Sequence, residues 1–146
     1  MIQEIILGIG VIIGLLFYRK TNPNLLKLIL AGLSVSYVLG LLNYPLTSTI
    51  GFTGFGVSSL AFGIYCATKN KWLSAIIGFF ACTTIIHGIM NWPFYGEMQF
   101  IMIVPIICYI MICLNWRKHL NEFSILTILT SYMVALFVDL ISKWIQ

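Results

Sequence analysis

The stretch from Trp72 to Met90 reads Trp-Leu-Ser-Ala-Ile-Ile-Gly-Phe-Phe-Ala-Cys-Thr-Thr-Ile-Ile-His-Gly-Ile-Met and contains no Lys, Arg, Asp or Glu. A helix that crosses a hydrocarbon core about 30 Å thick needs about 20 predominantly apolar residues, with a range of about 17–25. The stretch satisfies that requirement without help from its neighbours. It therefore predicts a transmembrane helix.

The composition of the whole chain supports the same interpretation. Of its 146 residues, 60% are hydrophobic and only 8% are charged, and the mean hydropathy is +1.02. A soluble domain carries about 25% charged and about 45–50% apolar residues. A soluble core of this size could not cover so much apolar surface, whereas lipid can. We expect an all-α integral membrane protein, with residues 1–146 forming a single transmembrane helical domain.

Six apolar stretches separated by short polar breaks run along the chain. They are Ile5–Tyr18, Leu25–Leu42, Ile50–Ala67, Trp72–Met90, Phe100–Leu114 and Phe123–Ile141. The first and fifth are short and cross a bilayer only if flanking residues such as Ile2, Gln3 and Gln99 are included. A transmembrane barrel would show alternating hydrophobicity, which is absent here. The pattern predicts a compact bundle of about six short transmembrane helices.

The basic residues indicate the orientation of this bundle. Seven of the eight Lys and Arg residues lie at the first, third and fifth breaks, namely Arg19, Lys20, Lys27, Lys69, Lys71, Arg117 and Lys118. The positive-inside rule places these breaks in the cytoplasm and both termini outside it. We expect a multi-pass protein of the plasma (bacterial inner) membrane. The net charge of +4 then reflects topology, and no nucleic-acid partner is expected.

An internal repeat links the two central pairs of helices. Residues Gly40–Leu46 (Gly-Leu-Leu-Asn-Tyr-Pro-Leu) match Gly88–Phe94 (Gly-Ile-Met-Asn-Trp-Pro-Phe) at an offset of 48 residues. Each copy starts at a basic break, crosses the membrane once, turns at an Asn-aromatic-Pro corner and crosses back. This predicts a parallel helical-hairpin repeat of spans 2–3 and 4–5, related by an axis along the membrane normal. Superposing Leu25–Ala67 on Leu73–Asn115 should make the two corners coincide.

Five polar residues are candidates for a binding site that opens outward. The 48-residue offset relates Asn43 to Asn91 and then to Asp139. His87 lies one helical turn before Asn91, and Glu97 follows on the outer loop or at the start of the fifth span. A carboxylate at the centre of a span costs about 2.5–3.5 kcal/mol, so Asp139 needs a partner. The cluster could bind a small molecule or an ion. With no paired His motif, we expect no metal site and no cofactor.

Other conspicuous residues have structural explanations. Proline ends helices, and Tyr44 suits the headgroup region of the membrane, so the Asn-aromatic-Pro corners can be explained without a function. Pro105 should kink the fifth span, and His119, beside two basic residues, should be solvated. Glycine-rich Gly51–Ser59 is either tightly buried or locally broken where it lines a cavity. The four cysteines are expected to be small buried hydrophobic residues; they are Cys66, Cys82, Cys108 and Cys113.

Three functions remain after these observations. The first is a transporter, a channel or a ligand-binding membrane module with an outward-facing polar pocket, which the repeat and the ionisable residues favour. The second is an accessory subunit of a larger membrane complex, which stripes of small residues favour because they let helices approach closely. These stripes are the G-x-x-x-G of Gly10 and Gly14, then Gly32, Ser36 and Gly40, and Ser59, Gly63 and Ala67. The same stripes could instead mediate a homo-oligomer. The third is an intramembrane enzyme that acts on a lipid or isoprenoid through His87, Glu97 and Asp139. No residue can be assigned a catalytic role, and the corner motif is too short to indicate a family.

Overall fold

Helices account for almost all of the part of the chain that the computed structural model describes, which is residues 2–42, 44–90 and 100–145. The six α-helices are α1 (Ile2–Leu16), α2 (Asn24–Leu41), α3 (Pro45–Thr68), α4 (Trp72–Met90), α5 (Ile103–Leu114) and α6 (Phe123–Ile145). Short 3₁₀ turns follow α1 and α5. Helix makes up 88% of the structure, and the described residues contain no strand. The predicted all-α class is therefore confirmed for these residues.

Four of the six helices are long and apolar enough to cross a membrane. They are α2 with 18 residues, α3 with 24, α4 with 19, and the first 21 residues of α6. The helices α1 and α5 have 15 and 12 residues. At about 1.5 Å per residue α5 is only about 18 Å long, well short of the hydrocarbon core. The described residues thus contain the six predicted helices, of which four have the length of a span.

The third helix begins five residues before the predicted start at Ile50. Pro45 occupies its first turn, where a missing N–H disrupts no intrahelical hydrogen bond. The hydroxyl of Thr47 donates to the carbonyl of Tyr44, and that of Thr49 to the carbonyl of Pro45, both at 2.9 Å. Because these hydroxyl groups bond to carbonyls of the preceding turn, Thr47 and Thr49 belong to the helix, although the sequence placed them in a polar break.

The fifth apolar stretch is interrupted before its proline. Phe100 and Ile101 are helical, Met102 forms a turn, and α5 then begins at Ile103. Pro105 consequently lies in the first turn of α5, where proline is tolerated. The fifth span is therefore interrupted near its proline, and its helix restarts at Ile103, two residues before Pro105.

The first and last helices pack against each other in antiparallel directions. A Cβ atom added at Gly14 would lie 2.7 Å from the side chain of Ile128 and 2.9 Å from the carbonyl oxygen of Ser124. One added at Gly10 would collide with Ser131. Residue numbers rise along α1 as they fall along α6, so the two chain directions oppose each other. The G-x-x-x-G motif of α1 therefore serves packing within the chain.

Close backbone contact also joins α2 to α3 and α3 to α4. A Cβ atom added at Gly51 would lie 2.5 Å from the backbone nitrogen of Gly40 and 2.7 Å from the carbonyl oxygen of Ser36. One added at Gly78 would lie 2.8 Å from the backbone nitrogen of Gly63. Helices in lipid gain little hydrophobic free energy from each other, so close approach through small residues stabilises such a bundle.

Large aliphatic side chains cover the outer surface of the bundle. Leu16 is 76% exposed, Leu28 71% and Leu114 78%, while Phe62 and Leu30 are fully buried. Soluble monomers rarely expose apolar patches this extensive. Together with the four long helices, this surface is compatible with a multi-pass membrane protein.

The first, third and fifth breaks meet at one end of the bundle, which we call the basic end because it holds all the Lys and Arg residues except Lys143. The hydroxyls of Thr21 and Ser124 lie 3.0 Å apart and join the first break to the start of α6. Lys71 forms an ion pair with Glu122, which joins the third break to the fifth. At the opposite end, the hydroxyl of Tyr37 donates to the carbonyl of Glu4 at 3.0 Å.

Candidate functional site

A cavity of about 590 Å³ lies between the helices in the half of the bundle away from the basic end. Five helices line it, namely α1, α2, α3, α4 and α6. Its volume is within the range of about 300–1,000 Å³ that is typical of small-molecule sites. Its walls are mainly aliphatic and aromatic, with a few polar groups.

Four aromatic rings form much of the wall of this cavity, and they come from three helices. Tyr37 belongs to α2, Phe52 and Phe55 to α3, and Tyr132 to α6. Phe52 and Phe55 are three residues apart, which places them on the same face of α3. The ring centroids of Phe55 and Tyr132 lie 5.3 Å apart with the planes tilted by 48°, so this pair connects α3 to α6.

Small residues leave the space that the cavity occupies. Gly40, Gly51, Gly88 and Ala135 all line it. Glycines bring α2 and α3 together at the backbone without filling the volume beside them, and Ala135 follows the ring of Tyr132 by one turn of α6. The glycine-rich part of α3 is not locally broken, because it lies within one continuous helix. Gly51 is buried in that helix and also lines the cavity.

Hydrogen bonds within the bundle occupy two of the hydroxyl groups that line the cavity. Tyr37 donates to the backbone carbonyl of Glu4, and Thr49 donates to the carbonyl of Pro45. Their protons are therefore engaged, whereas their oxygen lone pairs are still able to accept. Glu4 is the charged residue of the lining, and no Lys, Arg or His lines the cavity within the described residues.

The structure describes two of the five predicted site residues, since Asn43, Asn91 and Glu97 lie outside the described residues. His87 is half-buried on α4, immediately before the lining residue Gly88, but is not itself among the lining residues. The partner that Asp139 requires is Lys143, whose Nζ lies 2.6 Å from its Oδ2. The convergence of the five residues stays a prediction.

A second polar group of residues, which we call the Glu122 cluster, lies at the basic end. One carboxylate oxygen of Glu122 is 2.5 Å from Nζ of Lys71, and the other is 2.8 Å from Nδ1 of His119. The hydroxyl of Ser74 donates to the second oxygen at 3.4 Å. The side chain of Glu122 is fully buried, and that of His119 is only 15% exposed. The expectation that His119 is solvated was therefore wrong.

The Glu122 cluster connects two parts of the chain that are distant in sequence, residues 71–74 and 119–122. Removing a carboxylate from water is costly unless it gains an opposite charge and hydrogen bonds, and Glu122 has both. Glu122 was not among the predicted site residues, although the 48-residue offset relates it to another member of the cluster. Lys71 and His119 are separated by that offset, and so are Ser74 and Glu122.

The acidic and thiol side chains of the described part do not form a metal centre. No group of three or more His, Cys, Asp or Glu residues in that part has the geometry to hold a metal ion. All four cysteines are free; Cys66, Cys82 and Cys108 are buried as expected, whereas Cys113 is exposed on α5. The chemistry that these residues offer is ion pairing and packing.

No family model matches this sequence, and comparisons with characterised proteins and with solved structures find no match. Function is therefore inferred from the cavity, the distribution of charge and the packing of the helices.

Proposed function

We propose that the chain is a multi-pass protein of the plasma (bacterial inner) membrane that binds a small molecule in an outward-facing cavity, as the binding step of transport. The cavity between α1, α2, α3, α4 and α6 carries this proposal. A site of this size with apolar walls and a few convergent polar groups is the usual form of a small-molecule site between packed helices.

The two ends of the bundle differ in a way that suits transport. The cavity lies in the half that holds Glu4 and Gly88, both of which are exposed. The basic end contains the buried Glu122 cluster and the fully buried side chains of Leu26 and Phe62. With the basic end in the cytoplasm, as the positive-inside rule requires, such a bundle takes up its ligand from outside.

A cavity-filling substitution tests this function. In Ala135→Phe the new ring enters the cavity, because Ala135 is a lining residue that is only 4% exposed. Ala61→Phe is the matched control, since Ala61 is exposed on the outer surface of α3. Native mass spectrometry of each protein, extracted from membranes in mild detergent, should detect a bound small molecule on the wild type and on Ala61→Phe. The signal should be absent from Ala135→Phe.

The outcomes separate the candidate functions. A small molecule retained equally by Ala135→Phe, with thermal unfolding like that of the wild type, would contradict binding in the cavity. A second polypeptide in constant stoichiometry with all three proteins, and no small molecule, would instead indicate an accessory subunit of a membrane complex.

A further inference from the structure

We infer that the basic end of the bundle binds anionic phospholipids, and that two copies of one five-residue pattern form the binding surface. The copies are Leu16–Lys20 (Leu-Phe-Tyr-Arg-Lys) and Leu114–Lys118 (Leu-Asn-Trp-Arg-Lys). In each copy, a leucine is followed two residues later by an aromatic residue, an arginine and a lysine. The inference concerns the lipid that surrounds the bundle, so it goes beyond binding in the cavity and does not depend on it.

The charge of the basic end is not balanced by the acidic residues found there. Lys71 is paired with Glu122, whose side chain is fully buried. The other six basic residues have no ion-pair partner in the part of the chain that the structure describes; they are Arg19, Lys20, Lys27, Lys69, Arg117 and Lys118. All of these except Lys27 are exposed. The phosphates of an anionic leaflet would neutralise this surface, whose like charges otherwise repel one another.

The order of side chains in each copy matches the layers of a bilayer leaflet. Leu16 and Leu114 end α1 and α5, and they are the two most exposed large apolar side chains of the described residues. Tyr18 and Trp116 begin the 3₁₀ turns that follow and are also exposed, and such rings favour the headgroup region. The basic residues come last, and both Arg and Lys bind phosphate oxygens. An anionic phospholipid offers complementary apolar and charged parts in the same order.

A row of three aromatic rings places both copies beside the start of α6. The ring centroid of Phe17, within the first copy, lies 5.4 Å from that of Phe123. The centroid of Phe123 lies 5.9 Å from that of Tyr109 on α5, the helix that the second copy ends. The contact between the hydroxyls of Thr21 and Ser124 holds the end of the first copy at the same place. The two copies therefore flank one helix end, where their charges act on neighbouring headgroups.

The short lengths of α1 and α5 favour a lipid over an anion in solution. The helices have 15 and 12 residues, which at about 1.5 Å per residue gives about 22 Å and about 18 Å, less than a hydrocarbon core of about 30 Å. A bilayer adjusts to a short helix by thinning locally, and the flanking basic side chains extend to the headgroups. Both adjustments bring the Arg and Lys residues of the turns to lipid phosphates.

Native mass spectrometry of the full chain in mild detergent tests this inference. The chain is titrated with phosphatidylglycerol and, separately, with phosphatidylcholine of the same acyl chains, so that only the headgroup differs. Because several charges contribute, we expect phosphatidylglycerol to bind at least about tenfold more tightly.

Single substitutions assign the preference to the two copies. Arg19→Gln and Arg117→Gln should each lower the affinity for phosphatidylglycerol by about fivefold, and the double variant by about thirtyfold. Lys143→Gln is the matched control, because it removes one charge at the opposite end; its affinity should equal that of the wild type. Arg19→Lys keeps the charge and should keep most of the affinity. Both arginines are exposed and unpaired in the described structure, so the melting temperatures of these variants without added lipid should equal that of the wild type.

Three results would overturn the inference. The first is equal affinity for the two lipids. The second is an equal loss in Arg19→Gln, Arg117→Gln and Lys143→Gln, which would indicate a response to net charge alone. The third is displacement of phosphatidylglycerol by millimolar inorganic phosphate, which would indicate a site for a free anion. Ala135→Phe should bind phosphatidylglycerol like the wild type, so failure of the proposed function is distinguished from failure of this inference.

Discussion

Two carboxylates of this chain show how differently the same chemical group can be placed. Glu122 has a fully buried side chain and contacts Lys71, Ser74 and His119, whereas Asp139 is 24% exposed and pairs with Lys143 on its own helix. A buried carboxylate that loses its charge leaves its partners unpaired, while an exposed pair is screened by solvent. Their contributions to stability should therefore differ.

Glu122→Gln should destabilise the fold far more than Asp139→Asn. Removing one partner of a buried ion pair costs about 3–5 kcal/mol, and we expect the lower part of that range because Lys71 is 30% exposed and can be hydrated. Asp139→Asn should cost about 0–1 kcal/mol. Thermal unfolding in detergent, followed by circular dichroism, measures both changes, and equal shifts of the melting temperature would contradict a stabilising role for the Glu122 cluster.

At the scale of the helices, the glycines allow neighbouring helices to pack closely, because a Cβ atom at those positions would meet the adjacent backbone. The helix α3 lies between α2 and α4, and it approaches each of them through Gly51 on one side and Gly63 on the other. The helices α2 and α4 begin at Asn24 and Trp72, 48 residues apart, which is the offset of the sequence repeat. Superposition of the two hairpins stays a prediction, since Asn43 and Asn91 lie outside the described residues.

Two glycine-to-alanine substitutions should have opposite effects on stability. Alanine favours a helix over glycine by about 1 kcal/mol, and at Gly40 its Cβ would meet no heavy atom within 4 Å. At Gly78 the same Cβ would lie 2.8 Å from the backbone nitrogen of Gly63 and 3.0 Å from the carbonyl oxygen of Ser59. Gly78→Ala should therefore cost about 1–3 kcal/mol through forced separation of α3 and α4.

The melting temperatures of these two variants measure the effect. Gly40→Ala should melt at or above the temperature of the wild type, and Gly78→Ala below it. Equal stability of both variants would show that α3 and α4 can separate without cost, contrary to the packing of the bundle.

At the scale of the whole molecule, charge distinguishes one end from the other. The basic end holds seven Lys and Arg residues, and the ion pair between Lys71 and Glu122 shows that breaks distant in sequence meet there. Only cytoplasmic loops are normally enriched in Lys and Arg in this way. The orientation that we propose follows from this asymmetry.

Reporter fusions in a bacterial inner membrane test that orientation. Green fluorescent protein fluoresces in the cytoplasm, so a fusion after Gln146 should remain dark and an insertion at Asn70 should fluoresce. The reason is that α6 starts at the basic end and runs away from it. A bright fusion after Gln146 would contradict the orientation.

The sequence by itself determined where the helices lie and at which breaks the basic residues are concentrated. Both depend on local composition: an apolar run of 19 residues such as α4 can be recognised from its own residues, and its observed bounds equal the predicted ones. The start of α3 was misjudged because its hydroxyl groups bond to their own helix.

Only the tertiary structure decided which polar groups meet. Glu122 contacts Lys71 across 51 residues of sequence, and Glu4, Tyr37 and Tyr132 reach one cavity from three helices. Such encounters depend on how the helices pack, which close glycine contacts determine and hydropathy does not record.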